Sequence, residues 1–104
     1  MLGTSKTESV ISYKVNTDLD ANTTRTLEAD FTLLSEIEQP ELTLDMSDVT
    51  FIDSCGIGAI VFLYKRLKNR DRNLRLLNVN GQPKQLIQML RIDKVIPLIT
   101  RAEL

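Results

Sequence analysis

Four consecutive residues, Asp53-Ser54-Cys55-Gly56, carry the side chains of this chain that are best suited to chemistry. They separate a stretch with strand periodicity from a stretch with helix periodicity, so Ser54 is expected at or next to the first residue of a helix. A hydroxyl there can cap the helix by accepting a hydrogen bond from a free backbone N–H group. The partial positive charge of a helix N-terminus also tolerates a phosphate added to the same hydroxyl. The spacing alone leaves both roles open, and the structural cap is the more common one.

The elements on either side of this turn have clear patterns. Before it, Leu42, Leu44 and Met46 alternate with polar residues, as in a half-buried strand. After it, Gly56 and Gly58 remove side chains from the first helical turn and allow a partner or another backbone to approach closely. The apolar residues that follow have the helical period: Ile57, Ile60, Val61, Tyr64 and Leu67.

The chain before the central strand predicts one more strand and one helix. Residues 10–15 alternate as a strand, and an acidic turn follows at residues 18–20. A helix of about fifteen residues should come next, with Asp20 or Asn22 as its cap and Pro40 beyond its end. Its predicted inward residues are Leu27, Phe31, Leu34 and Ile37.

After the central helix, residues 69–73 form a charged turn, and residues 74–79 predict a buried strand. Pro83 suits the first turn of a shorter helix, and residues 95–99 form at best an edge strand because they contain Pro97. The inward residues of that helix are predicted to be Leu86, Ile87 and Leu90. Alternating strands and helices indicate an α/β fold, a mixed sheet of about four to five strands with about three helices. A right-handed crossover should make the central strand interior and place Ser54 at its carboxyl end.

Composition excludes several classes of protein. A chain of 104 residues fits one domain, and its net charge of −1 without a basic stripe argues against direct nucleic-acid binding. No apolar run approaches the ~20 residues of a membrane helix. One cysteine cannot form an intrachain disulfide, which fits a cytoplasmic location, and the chain has no histidine. Since no nucleophile–base pair is evident, we expect no enzyme, no cofactor and no metal.

Residues 48–58, DVTFIDSCGIG, resemble the signature of STAS domains, the family of bacterial anti-sigma factor antagonists. That family typically has a hydrophobic strand ending in an acidic residue, then Asp-Ser-Ser/Ala-Gly-Leu/Ile-Gly opening a helix. The turn at 18–20 resembles the family's acidic-Leu-Asp turn, and residues 75–79 and 81–90 resemble its later strand and helix. The resemblance therefore implies a single STAS domain over residues 1–104, with residues 1–7 frayed or forming an edge strand.

The resemblance implies a phosphorylation-controlled switch in transcription. In the family, the serine after the aspartate is phosphorylated by a partner anti-sigma factor that is a serine kinase, and a PP2C-type phosphatase removes the phosphate, as a separate protein or in the same polypeptide. The unphosphorylated form binds the kinase and frees a sigma factor. Carried over, the phosphorylated residue is Ser54. The implied partner-binding residues are Asp20, Asp53, Ser54, Cys55, Gly56, Ile57 and Gly58.

Two features depart from the family pattern. Cys55 stands where a second serine is common, so Ser54 is the only hydroxyl in the turn and Thr50 is a less favoured second acceptor. The sequence ends at Leu104, before the C-terminal helix that many relatives carry, which could leave apolar surface for a weak homodimer.

Other residues have competing interpretations. Cys55 is expected to be a small buried hydrophobe rather than a redox group. Phe62 and Leu63 lie off the predicted stripe and could pack under the first helix or form an exposed partner patch. Two acidic pairs could suggest a cation site but are better explained as caps and turn charges: Asp18 with Asp20, and Asp45 with Asp48.

Two other functions remain open at this point. A response-regulator receiver would use Asp45 as a phosphoaspartate with Mg²⁺, but no adjacent acid pair follows a first strand and no lysine follows a late strand as that class requires. A STAS-like subunit of a membrane transport complex would bind its partner without a kinase cycle, and its affinity would not respond to Ser54→Asp.

Overall fold

The computed structural model describes residues 4–6 and 9–103, and these form one sheet and three helices. The helices follow three of the strands in turn, as the sequence predicts. In chain order the elements are β1 (Thr4–Lys6), β2 (Val10–Lys14), α1 (Ala21–Glu36), β3 (Glu41–Asp45), α2 (Ser54–Lys68), β4 (Asn73–Leu77), α3 (Gly81–Met89) and β5 (Leu98–Ile99). Single 3-10 turns lie at Ile92–Lys94 and Arg101–Glu103.

The sheet has the order β1-β2-β3-β4-β5, so β3 is its middle strand. β1 pairs antiparallel with β2, and the remaining neighbours are parallel. The predicted mixed sheet, the parallel β3–β4 pair and the interior central strand are therefore confirmed. Because β2, β3 and β4 are parallel, their carboxyl ends meet at one edge of the sheet, and α1, α2 and α3 begin there.

One face of the sheet forms the hydrophobic core with the helices. The register aligns Ile11, Leu42 and Leu74 across three strands, and all three are buried in the same cluster as the inward residues of α1 and α2. The opposite face aligns Ser12, Thr43 and Arg75. Thr43 is nonetheless buried, since the Arg75 guanidinium reaches over the sheet and its Nη2 donates to Thr43 Oγ1 at 3.1 Å. Thr43 is thus buried although it lies on the face of β3 that alternates with the core-facing leucines.

The helices confirm most of the predicted stripes and shift one of them. In α1 the predicted Leu27, Phe31 and Leu34 are buried. In α2 the deepest line runs through Gly56, Ile60, Leu63 and Leu67, while Ile57, Val61 and Tyr64 are only half-buried at its flanks. Leu63 therefore packs into the core, whereas the side chain of Phe62 is 51% exposed. The inward position predicted for Leu90 is wrong, because Leu90 lies at the end of α3 and is exposed.

At the amino edge of the sheet, Arg72 is buried rather than part of a solvated turn. Its Nε donates to the Gln39 carbonyl at 2.6 Å, and its Nη1 donates to the Leu34 and Ser35 carbonyls at 3.1 and 3.0 Å. The Leu34 and Ser35 carbonyls belong to the last turn of α1, where the regular hydrogen bonding of a helix ends, and the Gln39 carbonyl belongs to the approach to β3. Arg72 therefore ties the C-terminus of α1 to the start of β4.

None of the helices in the described ranges combines the length and the apolar character that a membrane-spanning segment requires.

Candidate functional site

Ser54 is the first residue of α2, and its side chain is exposed. The helix cap is Asp53, whose Oδ1 accepts a hydrogen bond from the Gly56 backbone N–H at 3.0 Å. The capping role that spacing alone favoured for Ser54 therefore belongs to its neighbour. Within the part of the chain that the structure describes, the Ser54 hydroxyl makes no hydrogen bond. It is free to meet another molecule.

Asp53 also connects the starts of two helices. Its Oδ2 accepts from the backbone N–H of Ala21, the first residue of α1, at 3.2 Å. Asp20 caps α1 itself, since its Oδ1 accepts from the N–H groups of Asn22 at 2.9 Å and Thr23 at 3.0 Å. The bond from the Thr23 N–H holds the pKa of Asp20 below its ordinary value. Of the two predicted caps, Asp20 is the one the structure uses.

Asp18 holds the loop that leads into Ser54. Its Oδ1 accepts from the Thr50 N–H at 2.8 Å, the Thr50 hydroxyl at 2.9 Å and the Phe51 N–H at 3.1 Å. The Thr50 N–H, more than its hydroxyl, lowers the pKa of Asp18. The Thr50 hydroxyl is thus bonded within the chain, whereas the Ser54 hydroxyl is not.

The same loop pairs with Leu19, which lies between Asp18 and Asp20. Leu19 and Ile52 form a parallel bridge, in which the Leu19 N–H donates to the Phe51 carbonyl and the Asp53 N–H donates to the Leu19 carbonyl, both at 3.0 Å. Gly56 lies directly against this bridge, and a Cβ atom there would be 2.4 Å from the Leu19 carbonyl oxygen. Gly56 is buried, so at this turn it permits close backbone packing.

Gln82, near the start of α3, holds the other side of the loop. Its Oε1 accepts from the Ile52 N–H at 2.9 Å, and its Nε2 donates to the Ile52 carbonyl at 3.0 Å. The amide therefore satisfies both backbone groups of Ile52, as a neighbouring strand would. Sequence reasoning missed Gln82. The only signal was a polar residue one position after the Asn80-Gly81 break, at the carboxyl end of β4.

Cys55 is exposed, which overturns the expectation of a buried cysteine. Gly58 is also exposed, while Ile57 is half-buried. The structure thus brings most of the predicted site residues together where α1 and α2 begin, and only Gly56 among them is buried. Whether these residues contact a partner stays a prediction.

The acidic pairs have structural partners. Asp48 pairs with Lys14 at 3.3 Å, and Asp45 Oδ1 accepts from the Ser47 N–H at 3.0 Å while its Oδ2 lies 3.8 Å from Arg101. Among the described residues, no group of three or more acidic or cysteine side chains is arranged to hold a metal ion. Asp45 faces an arginine instead of the acid pair that a receiver domain needs.

The STAS domain family model matches residues 2–103. Several solved structures have the same fold at low sequence identity. A Thermotoga maritima protein assigned as an anti-sigma factor antagonist gives a TM-score of 0.87 at 19% identity, covering 98% of this chain and 89% of that one. An anti-sigma factor antagonist from Mycobacterium paratuberculosis gives 0.82 at 21% identity, covering 94% and 83%. The phosphorylated form of SpoIIAA, a Bacillus cell fate determinant, gives 0.72 at 15% identity, covering 99% and 95%.

Proposed function

Because this chain belongs to the STAS domain family, we propose that it is a regulatory switch that binds an anti-sigma factor through the surface around Ser54. The anti-sigma factor is a serine kinase, and it binds the unphosphorylated chain. Phosphorylation of Ser54 ends the binding, and a PP2C-type phosphatase restores it. The chain acts in the bacterial cytoplasm, where its binding state controls transcription, and it contributes only the acceptor hydroxyl to the phosphoryl transfer.

The observation that carries this proposal is the contrast between Ser54 and its neighbours. Asp53 and the Thr50 hydroxyl are bound to other groups of the chain, whereas the Ser54 hydroxyl is exposed and bonded to nothing in the described residues. The backbone around it is fixed by Asp18, Leu19 and Gln82. A kinase therefore meets one accessible hydroxyl on a rigid turn.

A phosphate at Ser54 should leave the fold intact and disrupt only the complex. It would carry about −1.5 to −2 charges at neutral pH and would lie at the N-terminus of α2, where the helix dipole favours an anion. A docked partner would have to remove water from that charge beside Asp53. Asp20 is also near, because Asp53 and Asp20 accept hydrogen bonds from successive N–H groups in the first turn of α1. Each ~1.4 kcal/mol of mismatch weakens binding tenfold, so a few kcal/mol suffices for a switch.

The structural neighbours support the choice of partner. Two of them are described as anti-sigma factor antagonists, and SpoIIAA has been solved in a phosphorylated form. The alternative of a subunit in a membrane transport complex predicts binding that ignores the charge at Ser54. The two proposals therefore differ in one measurable quantity.

The test measures the affinity of Ser54→Ala and of Ser54→Asp for the anti-sigma serine kinases of the source organism. Calorimetry gives this affinity under conditions in which the kinase hydrolyses no nucleotide. We expect Ser54→Ala to bind like the unmodified chain and Ser54→Asp to bind about a hundredfold more weakly, which corresponds to about 2.7 kcal/mol. The matched control is Ser9→Asp, the same change at an exposed residue just before β2, at the opposite edge of the sheet. Equal binding by both Ser54 variants would overturn the switch.

A further inference from the structure

We propose that the groove between α1 and α2 receives an apolar side chain of the same anti-sigma kinase, and that a basic residue flanks this side chain in the kinase. The inference rests on the proposed function, because it extends the surface around Ser54 by a second contact. It adds residues of α1 and the middle of α2 to the interface, which neither the sequence motif nor the turn geometry assigns.

The groove is large and mostly apolar, and it begins at the residue after Ser54. Its volume is about 550 Å³, and Cys55, which directly follows Ser54, lines it. Phe31 of α1 and Phe62 of α2 contribute aromatic surface to the lining. The Arg66 guanidinium lies 5.4 Å from the centroid of the exposed Phe62 ring and supports the ring from one side. An exposed aromatic ring beside an apolar groove is a typical anchor of a protein interface.

Gly58 indicates that the groove is kept open. A glycine inside a helix makes the helix less stable than an alanine would, so a glycine at such a position needs an explanation. Gly56 has such a reason in the Leu19 backbone, but a Cβ atom at Gly58 would meet nothing within 4 Å. Gly58 lines the groove, and any side chain there would occupy part of its volume. Packing within the described chain does not require a glycine at this position. A side chain that enters the groove does require it, because it needs the space that a larger residue would fill.

The charge of the groove identifies the flanking residue. Glu28 of α1 is the only charged residue of the lining, and it makes no ion pair or hydrogen bond within the described residues. Asp53, half-exposed at the start of α2, adds a second negative charge nearby. A lysine or arginine next to the apolar side chain of the kinase would complement both charges.

The experiment uses the kinase that binds the Ser54→Ala variant and measures affinity in that background. Gly58→Leu, which fills the groove, and Phe62→Ala, which removes its aromatic wall, should each weaken binding about tenfold or more. The controls make matching changes outside the lining: Ala29→Leu adds the same side chain to an exposed position of α1, and Leu33→Ala removes a side chain that is as exposed as Phe62, 51% in each case. Both controls should bind like the parent. Glu28→Lys should weaken binding more at low salt than at high salt.

Gly58→Ala separates binding from folding. It should raise the midpoint of thermal unfolding by about 4 °C, because alanine favours the helix and meets no neighbour, yet it should bind more weakly.

The outcomes distinguish the two proposals. If Ser54→Asp and Ser54→Ala bind alike, or no such kinase binds, the proposed function and the groove both fail. If the Ser54 variants behave as a switch but Gly58→Leu and Phe62→Ala bind like their controls, only the groove is overturned.

Discussion

The two edges of the sheet are held by polar side chains that bind the backbone, but their chemistry is opposite. At the carboxyl edge, Asp18 and Asp53 accept hydrogen bonds from backbone N–H groups and remain partly exposed. At the amino edge, the buried guanidinium of Arg72 donates to three backbone carbonyls. Burial lowers the pKa of Arg72, with the nearby Arg70 adding to the effect.

The two edges differ in whether they leave a polar group available to another molecule. At the amino edge, Arg72 uses its three hydrogen bonds to join parts of the fold. The carboxyl edge is also rigid, but its bonds leave the Ser54 hydroxyl unused and exposed. We infer that changes at the amino edge affect stability alone, and that changes at the carboxyl edge also affect recognition.

Arg72→Met should cause the largest loss of stability. The substitution removes the three buried hydrogen bonds that Arg72 donates near the end of α1, so we expect a loss of about 3 kcal/mol in the free energy of unfolding. Urea denaturation measures it. Arg70→Met is the matched control, since the exposed Arg70 side chain donates one hydrogen bond, to the Ser35 carbonyl, and it should cost less than about 1 kcal/mol. Similar losses for both variants would contradict the role of Arg72. Kinase affinity per folded molecule should be unchanged in both.

Gly56→Ala should be the next most damaging change. The added Cβ would lie 2.4 Å from the Leu19 carbonyl oxygen and 2.6 Å from Ile52 Cγ1, so the backbone of the turn must shift. We expect a loss of about 2 kcal/mol in the free energy of unfolding, together with weaker kinase binding. Gly58→Ala, the same change two residues later, should not destabilise the chain. If both variants are equally stable, the close contact at Leu19 is not a constraint.

Gln82→Ala should have the smallest effect on stability and a local effect on dynamics. It removes both hydrogen bonds to Ile52, which should cost about 1 to 2 kcal/mol. Hydrogen exchange of the Ile52 and Asp53 amides should accelerate relative to amides of the core strands. Gln85→Ala, at an exposed position of the same helix, is the control and should change neither quantity. Unchanged exchange at Ile52 in Gln82→Ala would show that the amide does not hold the loop.

Sequence reasoning predicted the fold well because the fold depends on patterns that are local. The alternation in β2 and β3, the helical period of α1 and α2, and the cap at Asp20 all require only near neighbours. It failed where the outcome depends on residues far apart in sequence. Arg72 looked like a turn charge because its carbonyl partners lie more than thirty residues away, and the Ile52 backbone that Gln82 binds lies thirty residues away.

The site shows the same division. The motif located the turn, but the cap expected at Ser54 is formed by Asp53, since adjacent polar residues can both serve. Nor could it predict the exposure of Cys55, because the groove beside it is formed by α1, a helix from elsewhere in the chain.

The most direct test of the proposed switch is to treat the chain with the anti-sigma serine kinase proposed as its partner, to map the phosphate by tandem mass spectrometry, and to measure the affinity of the same sample. We expect one phosphate, on Ser54, and an affinity reduced about a hundredfold or more while the midpoint of thermal unfolding stays the same. A phosphate on Thr50 or another residue, or a phosphorylated Ser54 that binds as tightly as before, would contradict it.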